Sequence, residues 1–70
     1  MYYLRRMKDL REDNDLNQKY IAKLLNTTQP QYSRYETGER EIPIRHLVTL
    51  ANFYKVSTDY ILGRTNKKNF

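Results

Sequence analysis

The side chains best suited to chemistry in this 70-residue chain are two amides and a guanidinium close together on one segment, Gln29, Gln31 and Arg34. A glutamine amide sets a donor beside an acceptor, which matches N7 and N6 of adenine in the major groove, and an arginine fork matches O6 and N7 of guanine. All three point away from Tyr32 and Tyr35, which form the inward stripe of a helix expected over about Gln29 to Thr37. A helix that shows such groups to solvent suits the edges of DNA base pairs. Catalysis has little to work with: one histidine, no cysteine, and no paired carboxylates in an apolar setting. His46 lacks the neighbours of a zinc site and reads as a partly exposed surface residue. No metal, cofactor or small-molecule ligand is expected.

Those side chains are useful only if their helix stands clear of the domain body, and the preceding residues supply the means. Ile21, Ala22 and Leu25 have the spacing of a buried stripe on a helix over Gln18 to Leu25, with Asn17 as its cap. Ala22 leaves room only for a methyl group where two helices cross closely. Asn26 tolerates the left-handed conformation that ends a helix, and Thr28 opens the next with Gln31 completing a capping box. The segment reads as a helix-turn-helix.

Three more helices complete an all-α, compact five-helix bundle with no strands. The first, roughly Tyr3 to Asp13, carries Leu4, Met7 and Leu10 on one face and stops at the turn-prone Asp13-Asn14-Asp15. Leu16 is expected to drop into the core. Gly38 ends the third helix, and Pro43 opens the fourth, about Pro43 to Tyr54, with Leu47, Leu50, Ala51 and Tyr54 inward. Ser57 caps a short fifth helix closed by Gly63. Residues 1–63 then form one domain, and the basic, polar residues 64–70 read as a frayed tail. Seven tyrosines without a tryptophan could suggest base stacking, but Tyr32, Tyr35, Tyr54 and Tyr60 fall on core stripes, with hydroxyls expected at the rim.

A formal net charge of +5 favours a polyanionic partner. The absence of cysteine rules out a disulfide framework, and no run approaches the ~20 apolar residues of a membrane span. A cytoplasmic protein without membrane contact is expected.

With these residues in place, the chain resembles the phage repressor and Cro type of helix-turn-helix domain, the lambda repressor-like Xre family. The resemblance rests on Leu10-Arg11, Leu16-x-Gln18-x-x-x-Ala22, Thr28-Gln29, Ser33-x-Tyr35-Glu36-x-Gly38, Pro43, Leu50-Ala51 and the box from Val56 through Tyr60-Ile61-Leu62-Gly63. It implies a sequence-specific double-stranded DNA-binding regulator, most often a repressor, acting as a homodimer on near-palindromic operators. Residue by residue, it gives Gln29 the leading base contact and Arg34 the second. Gln31 is divided between base reading and the capping box. Pro30 departs from the family, standing where a polar reader is common, and could at most pack on a thymine methyl. Gln18 resembles the glutamine that touches phosphate and braces the first reader, with Lys19, Arg40, Arg45 and Thr27 as further backbone candidates. Arg11 and Glu36 resemble a scaffold ion pair. Ile61 and Leu62, on the way to Phe70, are the candidate dimer contacts, with closure of the core as the alternative, above all for Ile61. Two other roles for such a chain are weaker. An antitoxin usually needs more sequence to wrap its toxin, and a single-stranded RNA binder needs exposed aromatics.

Overall fold

The computed structural model describes residues 2–68, with side chains from Arg5 onward; the side chain of Leu4, and Phe70, lie outside the described residues. Five helices follow in order: α1 (Tyr2–Asp13), α2 (Gln18–Leu24), α3 (Gln29–Thr37), α4 (Ile44–Tyr54) and α5 (Thr58–Ile61). No strand occurs among the described residues. None of these helices is long and apolar enough to cross a membrane.

Helix starts follow from side-chain oxygens. Asn17 Oδ1 accepts from the Tyr20 amide at 2.8 Å, Thr28 Oγ1 from Gln31 at 3.3 Å, and Ser57 Oγ from Tyr60 at 3.0 Å. Each satisfies one of the donors that a helix N-terminus leaves unpaired. Only the Thr28 half of the capping box is made; the Gln31 side chain donates its NH2 to the Tyr35 hydroxyl at 3.3 Å. Pro43 is extended at ψ 148° and caps α4 from outside, so the helix begins one residue later than expected.

Helix ends follow from left-handed residues. Asp15, Asn26, Lys55 and Gly63 all have positive φ. The residue after each donates back across the turn: Leu16 to Arg11, Thr27 to Ala22, Val56 to Ala51 and Arg64 to Asp59, at 2.9–3.0 Å. This six-to-one bond defines the Schellman ending. At three of these ends a residue with a Cβ accepts a conformation that costs about 1–2 kcal/mol. Asp15 was hidden within a generally turn-prone triplet.

The core is assembled from the expected stripes. Met7, Leu10, Ile21, Ala22, Leu25, Tyr32, Tyr35, Leu47, Leu50 and Ala51 are buried, and Leu16 is packed against them. Ile42 joins from the loop, and Val56 and Ile61 close the far end. Three expectations are corrected. His46 is buried, with its ring 6.0 Å from that of Tyr35, because the turn that seats Leu47 also turns residue 46 inward. The hydroxyls of Tyr32 and Tyr54 do not reach the rim; both are buried with no hydrogen-bond partner among the described residues. The tail is tied down as far as Lys68. Arg6 stacks 4.1 Å from the Tyr60 ring centroid and donates to the Tyr60 and Thr65 carbonyls and to Asn66 Oδ1. The Ser57 amide donates to the Lys68 carbonyl.

Burial pushes the Tyr54 hydroxyl pKa up to about 12, with the Glu36 carboxylate adding to the shift. A buried hydroxyl without a partner costs stability rather than contributing it. Tyr54→Phe is therefore expected to leave stability within about 0.5 kcal/mol of wild type or to raise it. A loss above about 1 kcal/mol in urea unfolding would show that the hydroxyl is hydrogen-bonded in solution.

Candidate nucleic-acid interface

The interface begins in the core. Arg11 on α1 and Glu36 near the end of α3 form a bidentate pair, with Nε to Oε2 at 2.8 Å and Nη2 to Oε1 at 3.1 Å. Both side chains are nearly buried, 11% and 4% exposed. The third edge of the guanidinium donates to the Leu16 carbonyl at 3.0 Å, fixing the loop between α1 and α2. Burial alone would raise the Glu36 carboxyl, but the hydrogen bonds from Arg11 and Gln18 outweigh it and hold the group below the usual carboxylate range. The Tyr32 hydroxyl faces the same carboxylate without completing a hydrogen bond. Burial, and then that neighbouring charge, push its ionisation far above the ordinary tyrosine range.

From Glu36 the bonding runs outward. Gln18 Nε2, on the first residue of α2, donates to Glu36 Oε1 at 3.0 Å. Gln29 Nε2, on the first residue of α3, donates to Gln18 Oε1 at 2.7 Å. Arg11, Glu36, Gln18 and Gln29 thus form one continuous chain from the domain interior to an exposed amide.

The other candidates sit around that end. Pro30 is exposed in the first turn of α3, where its missing N–H costs nothing. Lys19, Thr27 and Gln29 line one open groove of about 580 Å³ with Lys23 and Asn26. Thr27, Gln31 and Arg45 line a second, about 470 Å³, with Tyr35, His46 and Thr49. Arg34 is half exposed, and its Nε lies 3.9 Å from Glu39 Oε2, a loose surface pair. Arg40 is exposed in the turn after α3, where its backbone N–H donates to the Arg34 carbonyl. Lys23 joins Lys19 in the first groove because their i+4 spacing puts both on one side of α2.

Ile61 is not brought to the surface. It is 0% exposed, because its side chain closes the core beside Val56, so it has no area to give to a second copy. Leu62 remains 37% exposed.

His46 links this region to pH. Burial, and secondarily the Arg45 cation, lower its pKa from 6.5. An unfolded chain takes up the proton near 6.5 while the folded one resists, so stability falls as pH drops below that value. His46→Gln is expected to flatten the decline in unfolding midpoint between about pH 7 and 5. An unchanged slope would mean that the histidine titrates normally when folded.

Comparison with known proteins agrees with this geometry. A family model described as helix-turn-helix matches residues 7–61, from the middle of α1 to the end of α5. Among curated proteins of Bacillus subtilis (strain 168), the chain is 38% identical over 65 residues to the uncharacterized HTH-type transcriptional regulator YqaE, covering 91% of the chain and 56% of that protein. It is 39% identical over 67 residues to the HTH-type transcriptional regulator ImmR, covering 93% and 53%. With the HTH-type transcriptional regulator AnsR the identity is 32% over 65 residues, covering 93% and 56%. The chain therefore spans about half the length of the curated relatives it matches. All three are described as transcriptional regulators, none as an enzyme. No solved structure matches at comparable significance. The matched span takes in the interior ion pair, the turn at Asn26 and the exposed amide of α3 alike, and on that ground the chain belongs to the Xre-like helix-turn-helix family, the phage repressor and Cro type.

Proposed function

We propose that the chain is a sequence-specific, double-stranded DNA-binding transcriptional regulator. In this reading it is a repressor that occupies a near-palindromic operator as a homodimer in the cytoplasm. The observation that carries the reading is the outward bonding chain. An exposed glutamine at the first turn of a helix is held by Gln18, itself held by a buried carboxylate. Such a placement sets a donor and an acceptor ready for a base edge.

In this reading α3 lies in the major groove, with Gln29 the leading base contact and Arg34 the second, released from Glu39 as it binds. Gln31 contributes less because Tyr35 holds its amide, and Pro30 offers only an apolar surface. Gln18, Lys19, Thr27, Arg40 and Arg45 contact phosphates on either side, where the amides of a helix N-terminus add their own attraction. These contacts position the domain, and the base contacts specify the site. Leu62, without Ile61, supplies part of the dimer contact. No step requires a cofactor, because occupancy of the operator is the activity.

Selection of bound duplexes from random DNA at a stated salt concentration tests the reading. The expected product is a dyad-symmetric site with half-sites about 34 Å apart, bound by two protomers. Absence of enrichment over random duplex would overturn DNA reading itself. Sites without symmetry, with one protomer at saturation, would overturn the dimer.

A further inference from the structure

We infer that Glu36 is a positioning residue for base reading: acting through Gln18, it fixes which end of the Gln29 amide faces outward. The inference rests on the proposal that Gln29 reads a base.

A guanidinium can only donate and an ionised carboxylate can only accept, so the direction of every bond in a chain that starts from this pair is forced. Arg11 fills both Glu36 oxygens from one side. Glu36 cannot donate to Gln18, so Gln18 must turn its NH2 inward, and it does, at 3.0 Å. The Gln18 carbonyl oxygen is thereby turned outward and can only accept. Gln29 must answer with its own NH2, and the 2.7 Å bond is made in that direction. One Gln29 N–H is used, and its second N–H and its carbonyl oxygen remain free. The nitrogen is anchored toward Gln18, and the oxygen lies at the far end of the amide.

An amide is nearly symmetric in shape, so packing alone would not choose between its two orientations. The choice matters for recognition. Adenine presents an acceptor at N7 beside a donor at N6, whereas guanine presents two acceptors, N7 and O6. With the native polarity, Gln29 offers one donor and one acceptor at fixed places, complementary to adenine. With the reversed polarity the oxygen would be bonded to residue 18 and both N–H groups would face the groove. That arrangement favours guanine. The buried charge thus sets a preference at an exposed atom two side chains away.

Two variants separate the polarity from the fold. Glu36→Gln replaces an acceptor-only group with one that can also donate, so the direction of the chain is no longer forced. Gln18→Lys leaves Glu36 paired but puts a donor-only group before Gln29, which must then accept. Duplex selection with each variant reads the adenine-to-guanine ratio at the Gln29 position, a quantity that uniform gains or losses of affinity do not move. Both variants are expected to lower that ratio by about fivefold or more, the lower end of what a bidentate pairing discriminates. Retention of the wild-type ratio in Glu36→Gln overturns the assignment to Glu36.

The side-chain amide protons of Gln29, observed by NMR in the free wild-type protein, keep the inference separate from DNA binding. They are expected to resonate at hydrogen-bonded positions that shift in Glu36→Gln, while backbone resonances of α5, which holds none of the bonded groups, stay in place. Unshifted Gln29 protons overturn the relay. A shifted pair in a protein that selects no base sustains the relay and overturns the DNA reading instead.

Discussion

Arg11→Ala is expected to lower unfolding free energy by about 3–5 kcal/mol, because it strands the Glu36 carboxylate in a buried site. A domain of this length has only about 4–10 kcal/mol in total, so a large share of the variant should be unfolded or close to it at 25 °C. Gln18 alone cannot compensate, since it gives Glu36 one neutral hydrogen bond where Arg11 gives two charged ones. Removing both charges with Arg11→Met and Glu36→Leu should restore much of the loss, because the desolvation cost disappears with the pair. Urea denaturation of the two single variants and the double variant gives the coupling directly. Additive effects, or a loss below about 1 kcal/mol for Arg11→Ala, would mean that the pair is open in solution. Acid provides a parallel check. With its folded pKa depressed, Glu36 contributes stability that is fully present above 4.5 and is lost as pH falls through the native value. That loss should be absent from the double variant.

Gln29→Ala is expected to cost about 1–3 kcal/mol on the selected operator while leaving the fold untouched, since the side chain is exposed and its bond to Gln18 is made at the surface. Binding to random duplex should barely change. Arg45→Ala and Arg40→Ala should behave in the opposite way. Each weakens operator and random DNA alike and lowers the salt slope by about one unit per subunit. Arg34→Ala distinguishes its own two roles by which pattern it follows, once the cost of releasing Glu39 is discounted as a loose, exposed pair.

Much of this fold was legible because short-range chemistry and periodicity agreed at each boundary. Asn17, Thr28 and Ser57 each announced a helix start through a side-chain oxygen, and all three make the capping bond. Asn26, Gly38 and Gly63 announced endings through tolerance of positive φ. What periodicity could not reveal was the fate of polar atoms carried into the core. Tyr32 and Tyr54 sit on apolar stripes as expected, but a stripe does not say how deep a hydroxyl goes. A histidine without the neighbours of a metal site is expected at the surface, whereas the position of His46 next to Leu47 on α4 carries it inward. Near the end of the domain an apolar side chain such as Ile61 can either close the core or meet a second copy, and sequence position does not choose between them. In a bundle this small the last helix is needed to close the core, and α5 spends Ile61 on that. The docking of residues 64–68 was illegible for another reason. It depends on Arg6 meeting three acceptors and an aromatic ring far away in sequence, and no local pattern encodes that. The bonds among Arg11, Glu36, Gln18 and Gln29 span three helices, so spacing within any one helix could not order them.

Whether α3 reads base edges through Gln29 is tested most directly by duplex selection carried out in parallel on wild type and Gln29→Ala. The variant is expected still to enrich the same site, with preference erased at one base-pair position in each half-site and kept elsewhere. If Gln29→Ala instead weakened binding to every sequence equally, with all base preferences intact, α3 would not be the element in the groove.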